Sequence, residues 1–122
     1  MADPWSSLVI GAAIAVHKAL GPGLLESANH AAMAAELEAC SIPFEHELVL
    51  PIRYRDRALD AHYRVDFLIG GMLVVEVKAV ERVLAVHEAQ LLTYLRLGGY
   101  RPGLLLNFCA PTLRQGILRR VL

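Results

Sequence analysis

Almost every position from Leu8 to Val16 is apolar, and the run ends at Gly21-Pro22-Gly23. This pattern predicts a first helix capped by Ser6 or Ser7 and running to about Leu20, because proline cannot continue the ladder and glycine tolerates the exit geometry. A helix with so little polar face must be covered on more than one side, which in a short chain suggests a homodimer through this helix. A second helix is expected over about residues 24–40, with Leu25, Ala28, Ala32, Ala35 and Ala39 as its apolar stripe. The period then changes. Residues 44–54 read as extended chain, with Pro51 tolerated only at an edge or bulge, and Asp56-Arg57 reads as a turn. Residues 58–69 and 72–80 form two strands around Gly70-Gly71, a hairpin signal. Residues 84–97 suit a helix closed by Gly98-Gly99, residues 103–108 a buried strand, and residues 112–121 a last helix. One mixed sheet flanked by helices accommodates this order.

The chain has 122 residues, 56% of them hydrophobic and 20% charged, which suits one folded domain spanning 1–122 and excludes disorder and multidomain machines. No apolar run approaches the roughly 20 residues of a membrane span. The N-terminus has no basic run or cleavage site of a secretory signal, so a cytoplasmic protein is expected. Cys40 and Cys109 fit no metal-ligand spacing and are expected as buried thiols. Lys plus Arg equals Asp plus Glu at 12 each, so any nucleic-acid binding must be local or weak.

The segment from Tyr63 to Lys78 places charges inside apolar strands, and buried charges need a reason. A strict two-residue turn at Gly70-Gly71 would put Asp66 and Glu76 on opposite faces of the sheet. A three-residue loop instead pairs Ile69 with Leu73 and gathers Val65, Phe67, Ile69, Leu73, Val75 and Val77 on one apolar face. That register sets Asp66 opposite Glu76 and Arg64 opposite Lys78. Two facing carboxylates repel unless a cation lies between them. Mg²⁺ or Mn²⁺ suits such hard oxygen ligands, together with a backbone carbonyl such as that of Val77, waters and a phosphate oxygen. Lys78 could then orient or deprotonate an attacking water. The alternative is a cross-strand salt network of these carboxylates with Arg64 and Lys78. His87, Gln90 and Tyr94 share a face of the following helix and could point over the same site.

Asp66, Glu76-Val77-Lys78 and Gln90-Leu-Leu-Thr-Tyr94 resemble the PD-(D/E)XK nuclease core with its trailing Gln-x-x-x-Tyr element. Through residues 16–27, 63–66, 75–80, 87–94 and 106–108 the chain is similar to the small bacterial GxxExxY family of that superfamily. The resemblance implies a restriction-endonuclease-like α/β core: a mixed four-stranded sheet in α-β-β-β-α-β order, here with an extra N-terminal and an extra C-terminal helix. It implies Asp66 and Glu76 as metal carboxylates, Lys78 as the catalytic lysine, Gln90 and Tyr94 as auxiliary residues and Glu26 as the acidic residue of the first helical region. Asn29 stands where that family has its name-giving tyrosine. The implied reaction is metal-dependent hydrolysis of a nucleic-acid phosphodiester, with DNA the first choice of partner. A non-catalytic dimeric module that retains the fold is the alternative, favoured by the neutral charge, the apolar first helix and Asn29.

Other residues have plainer readings. Arg53, Arg55 and Arg57 would lie on one side of a strand, tracking phosphates or keeping an edge from pairing. Arg114, Arg119 and Arg120 would complement the dipole of a last helix, and Trp5 would anchor packing or a dimer. His17, His30, His46, His62 and His87 show no zinc spacing and read as surface or satisfied core, His87 being the strongest exception.

Overall fold

The computed structural model describes residues 3–23 and 25–122. Helices α1 (Ser6–Leu20) and α2 (Glu26–Ala39) are followed by strands β1 (Phe44–Tyr54), β2 (Arg57–Ile69) and β3 (Leu73–Lys78). Helix α3 (Ala85–Gly98) crosses over to β4 (Pro102–Asn107), and a single 3-10 turn (Leu113–Gly116) leads into β5 (Ile117–Val121). The sheet order is β1-β2-β3-β4-β5, antiparallel throughout except for the parallel β3–β4 pair that α3 connects. Leu24, where the second helix was expected to begin, lies outside the described residues.

The sheet separates two apolar layers. On one face Val9, Ala13 and Val16 of α1 and Met33 and Leu37 of α2 meet Phe67, Ile69, Val75, Val77 and Leu106. On the other, Leu91, Tyr94 and Leu95 of α3 meet Val65, Leu68, Val74 and Leu105. In α2 the buried stripe is Asn29, Met33 and Leu37, not the expected alanines. The larger side chains remove more apolar area per residue, so they decide which way the helix turns. Helix α1 is anchored by Asp3 rather than capped by Ser6 or Ser7. Its carboxylate accepts the Trp5 and Ser6 N–H groups at 2.9 and 2.7 Å and the Ser6 hydroxyl at 2.6 Å. Much of the apolar surface of α1 is spent inside the molecule. Leu8, Gly11, Ala15 and Leu20 stay exposed.

The expected C-terminal helix is a strand, so the sheet has five strands rather than four. Leu104, Leu105 and Leu106 are fully buried in β4, whose outer edge would otherwise hold unpaired N–H and C=O groups. Ile117-Leu118-Arg119-Arg120-Val121 satisfies that edge, with Leu118 opposite Leu105 and Ile117 opposite Leu106. Arg119 and Arg120 accordingly complement no helix dipole. They pair with Asp3 and Glu88. Cys40 is exposed and Cys109 half-buried, and both are free thiols, against the expected burial. Trp5 is a packing anchor: its indole lies over Gly70, where a Cβ would fall 2.2 Å from the ring and where φ is +57°. No helix among the described residues is long and apolar enough to cross a membrane.

Candidate active site

The β2–β3 hairpin adopts the three-residue loop register, with Ile69 opposite Leu73, Leu68 opposite Val74 and Phe67 opposite Val75. There the ladder stops. The Asp66 N–H donates to Glu76 Oε2 at 2.8 Å, and the Val77 N–H donates to Asp66 Oδ2 at 2.8 Å. Two side chains thus replace the next rungs. β3 continues beside β4 as far as Lys78 opposite Asn107, while β2 peels away with β1. On the β1 side the ladder skips Glu47, which sits at φ +56° opposite this point. The alternation changes phase here, so Val65 packs on the α3 layer and not beside Phe67 as expected.

The fork therefore brings Asp66 and Glu76 together, as the register argument requires. Glu76 is only 2% exposed. Burial, and then the Asp66 charge, push its carboxyl up to about 8, and burial also raises Asp66. Arg64 does not sit opposite Lys78. It lies 4.0 Å from Glu47, and Lys78 Nζ instead donates to Gln90 Oε1 at 3.0 Å. Gln90 Nε2 in turn donates to the Tyr94 hydroxyl at 2.8 Å. Burial and the Glu76 charge push that phenol up to about 12, which keeps it protonated at neutral pH. The i, i+4 spacing on α3 makes this relay possible, because residues four apart lie on one helix face.

Glu26, in the first turn of α2, accepts the Ala79 N–H through Oε1 at 3.3 Å and borders the acidic pair without joining it. His87 caps α3, its Nδ1 accepting the Leu84 N–H at 2.9 Å, and lines a cavity of about 530 Å³ with Tyr63, Lys78, Gln90 and Thr93. Sequence reasoning read His30 only as surface or satisfied core and assigned Asn107 no role, yet both lie at or beside the site. His30 Nε2 lies 3.4 Å from Asp66 Oδ2, and its one legible signal is the Glu26–His30 i, i+4 spacing. Asn107 is buried and closes the turn after Lys78, bonding both the N–H and the C=O of Val80.

A five-stranded mixed sheet whose central hairpin forks around an acid pair, with a lysine two residues on, defines a restriction-endonuclease-like α/β core. A family model described as the PD-(D/E)XK nuclease superfamily matches residues 3–121, and the chain belongs to that superfamily. No curated protein and no solved structure matches the chain.

The superfamily generally uses divalent metals such as Mg²⁺ or Mn²⁺. Among the described residues no three His, Cys, Asp or Glu side chains converge on one point, so a cage built wholly of side chains is absent. The donors do fit a hard cation that keeps most of its waters. Asp66 and Glu76 each commit one oxygen to a main-chain N–H, and the other has no hydrogen-bond partner among the described residues. No buried side-chain polar atom there is left unpaired, so those second oxygens meet solvent.

Proposed function

We propose that this protein is a metal-dependent nuclease of the GxxExxY branch, a single cytoplasmic domain hydrolysing a nucleic-acid phosphodiester, with DNA the first substrate to try. One observation carries the reading. Two carboxylates are held against each other in the hairpin fork, one nearly sealed from water, with His30 beside Asp66 alone and neither Arg64 nor Lys78 paired to either acid. Such an arrangement costs stability unless a cation joins it.

Asp66, Glu76 and the Val77 carbonyl would hold Mg²⁺ or Mn²⁺, which when bound offsets charge on the scissile phosphate. The chain's own residues do the rest. The main-chain N–H groups of Asp66 and Val77 fix both carboxylates before substrate arrives. The ammonium of Lys78 gives one N–H to Gln90 and keeps two for an attacking water and a phosphate oxygen. Gln90 and Tyr94 aim Lys78, and Glu26 ties the start of α2 to the chain just beyond it. Water oxygen bonds to phosphorus as its proton passes to solvent, the ester P–O bond breaks, and the departing oxygen takes a proton from solvent, while Lys78 orients the water. A homodimer would use the exposed Leu8 and Leu20 of α1, and a dimer mass in light scattering is its expected sign.

Calorimetric titration of Mg²⁺ and Mn²⁺ into wild type and Asp66→Ala, with and without a short duplex, tests the proposal. Metal binding and duplex cleavage in wild type, both lost in the variant, are expected. Failure of the wild type to bind metal under either condition makes a non-catalytic module the better account.

A further inference from the structure

Past the fork, β2 leaves the sheet with β1 as a two-stranded ribbon. Every residue from 53 to 64 is exposed. The ribbon bends at Pro51, where the register shifts before Arg53, and turns at Arg55-Asp56, both at positive φ. About six residue pairs at roughly 3.3 Å per residue give an arm of about 20 Å. Three arginines, Arg53, Arg55 and Arg57, crowd its tip, against one carboxylate there, Asp56. None of the three forms an ion pair among the described residues, whereas Arg119 and Arg120 are both paired.

The three do not share a side as the sequence suggested. Tyr54 pairs with Arg57 and Arg53 with Ala58, so Arg53 and Arg57 point to opposite faces of the ribbon. Arg55 sits in the turn over the Tyr54 ring, 5.6 Å from its centre. The base of the arm is the candidate site itself. Tyr63 meets Tyr94 edge-on at 5.6 Å, lines the cavity with Lys78 and Gln90, and lies three residues before Asp66.

We infer that this β1–β2 arm is the duplex-gripping element of the protein and that its partner is B-form DNA, a conclusion resting on the nucleic-acid reading above. The chain is neutral overall and acidic at the fork, so attraction for phosphate has to come from elsewhere on the surface. A two-stranded ribbon fits the major groove of B-DNA, roughly 12 Å wide, and positive charge on both faces of its tip meets both phosphate walls. The deep, narrow major groove of A-form RNA does not admit it. A duplex seated on the arm is led by β2 to Asp66.

The test is fluorescence anisotropy of the full chain with a short labelled DNA duplex and an RNA duplex of the same sequence, in metal-free buffer so that hydrolysis does not compete. Joint Arg53→Gln, Arg55→Gln and Arg57→Gln substitution should weaken DNA binding at least about tenfold and cut the salt slope by about 2 to 3. Lysine at the same three positions should retain most of the affinity, and wild type should bind the RNA duplex at least about tenfold more weakly than DNA. Unchanged DNA affinity in the glutamine variant, or equal binding of the RNA duplex, overturns the inference. So does aggregation of that variant with DNA affinity intact, which would make the arginines guardians of an exposed edge. A wild type that grips DNA through the arm but cuts nothing supports the arm and removes hydrolysis. Metal binding at Asp66 with no arginine dependence removes the arm alone.

Discussion

The two ends of the β2–β3 hairpin share a register and differ in what holds them. At the closed end, Phe67 to Val75 are joined by main-chain rungs between buried side chains, with Trp5 lying over the turn. At the open end the rungs are carboxylates, one of them nearly sealed and pushed toward its neutral form. The closed end stabilises the fold and the open end draws on that stability, so substitutions at the two ends should act in opposite directions.

The largest expected effect is at the closed end. Phe67 is fully buried, stacked on His46 at 4.3 Å and packed near Phe44, and Phe67→Ala should cost about 3 to 5 kcal/mol in chemical denaturation. A loss under about 1 kcal/mol would show that this end is not the anchor.

At the open end Glu76→Gln should raise the thermal midpoint while removing metal binding. The sign follows from the pKa shift. Glu76 moves from an ordinary 4.5 in the unfolded chain to about 8 in the folded one. Its contribution is therefore fully favourable below the unfolded value and is lost as pH rises through the folded one. The metal-free wild type should lose thermal stability between those limits, and Glu76→Gln should flatten the profile. A wild-type midpoint that climbs over that interval would refute the buried-acid account.

The smallest effect is expected away from both ends. Asp3→Ala removes the anchor of α1 and a partner of Arg119, and should cost about 1 kcal/mol by urea titration without changing metal affinity. Against the upward pull of its burial, hydrogen bonds from Ser6 and Arg119 hold Asp3 down at about 2. Its contribution is therefore present above the ordinary 3.8 and fades as pH falls toward 2.

Much of the fold was legible because local chemistry and long-range order agree. Residues 44–54, the hairpin loop and the helix closed by Gly98-Gly99 each carry a period and a stop signal. The meeting of Asp66 with Glu76 was legible through the register that keeps Phe67, Ile69, Leu73, Val75 and Val77 on one face, although Val65 leaves that set. The alanine stripe of α2 misled because alanine is indifferent to burial, and Met33 and Leu37 outweighed it. The last ten residues misled because their pattern suits either period, and the choice depended on an open edge of β4.

By itself the sequence determined the elements with strong local punctuation, the hairpin register, and the residue types that could form a metal site, since all three follow from spacing along one chain. Tertiary structure decided the fifth strand, the fork and the contact between His30 and Asp66. It also took Lys78 from Arg64 and gave it to Gln90, and it turned Arg53 and Arg57 to opposite faces of the arm. These outcomes depend on which neighbour claims an unpaired backbone group or a free charge, and that neighbour is remote in sequence.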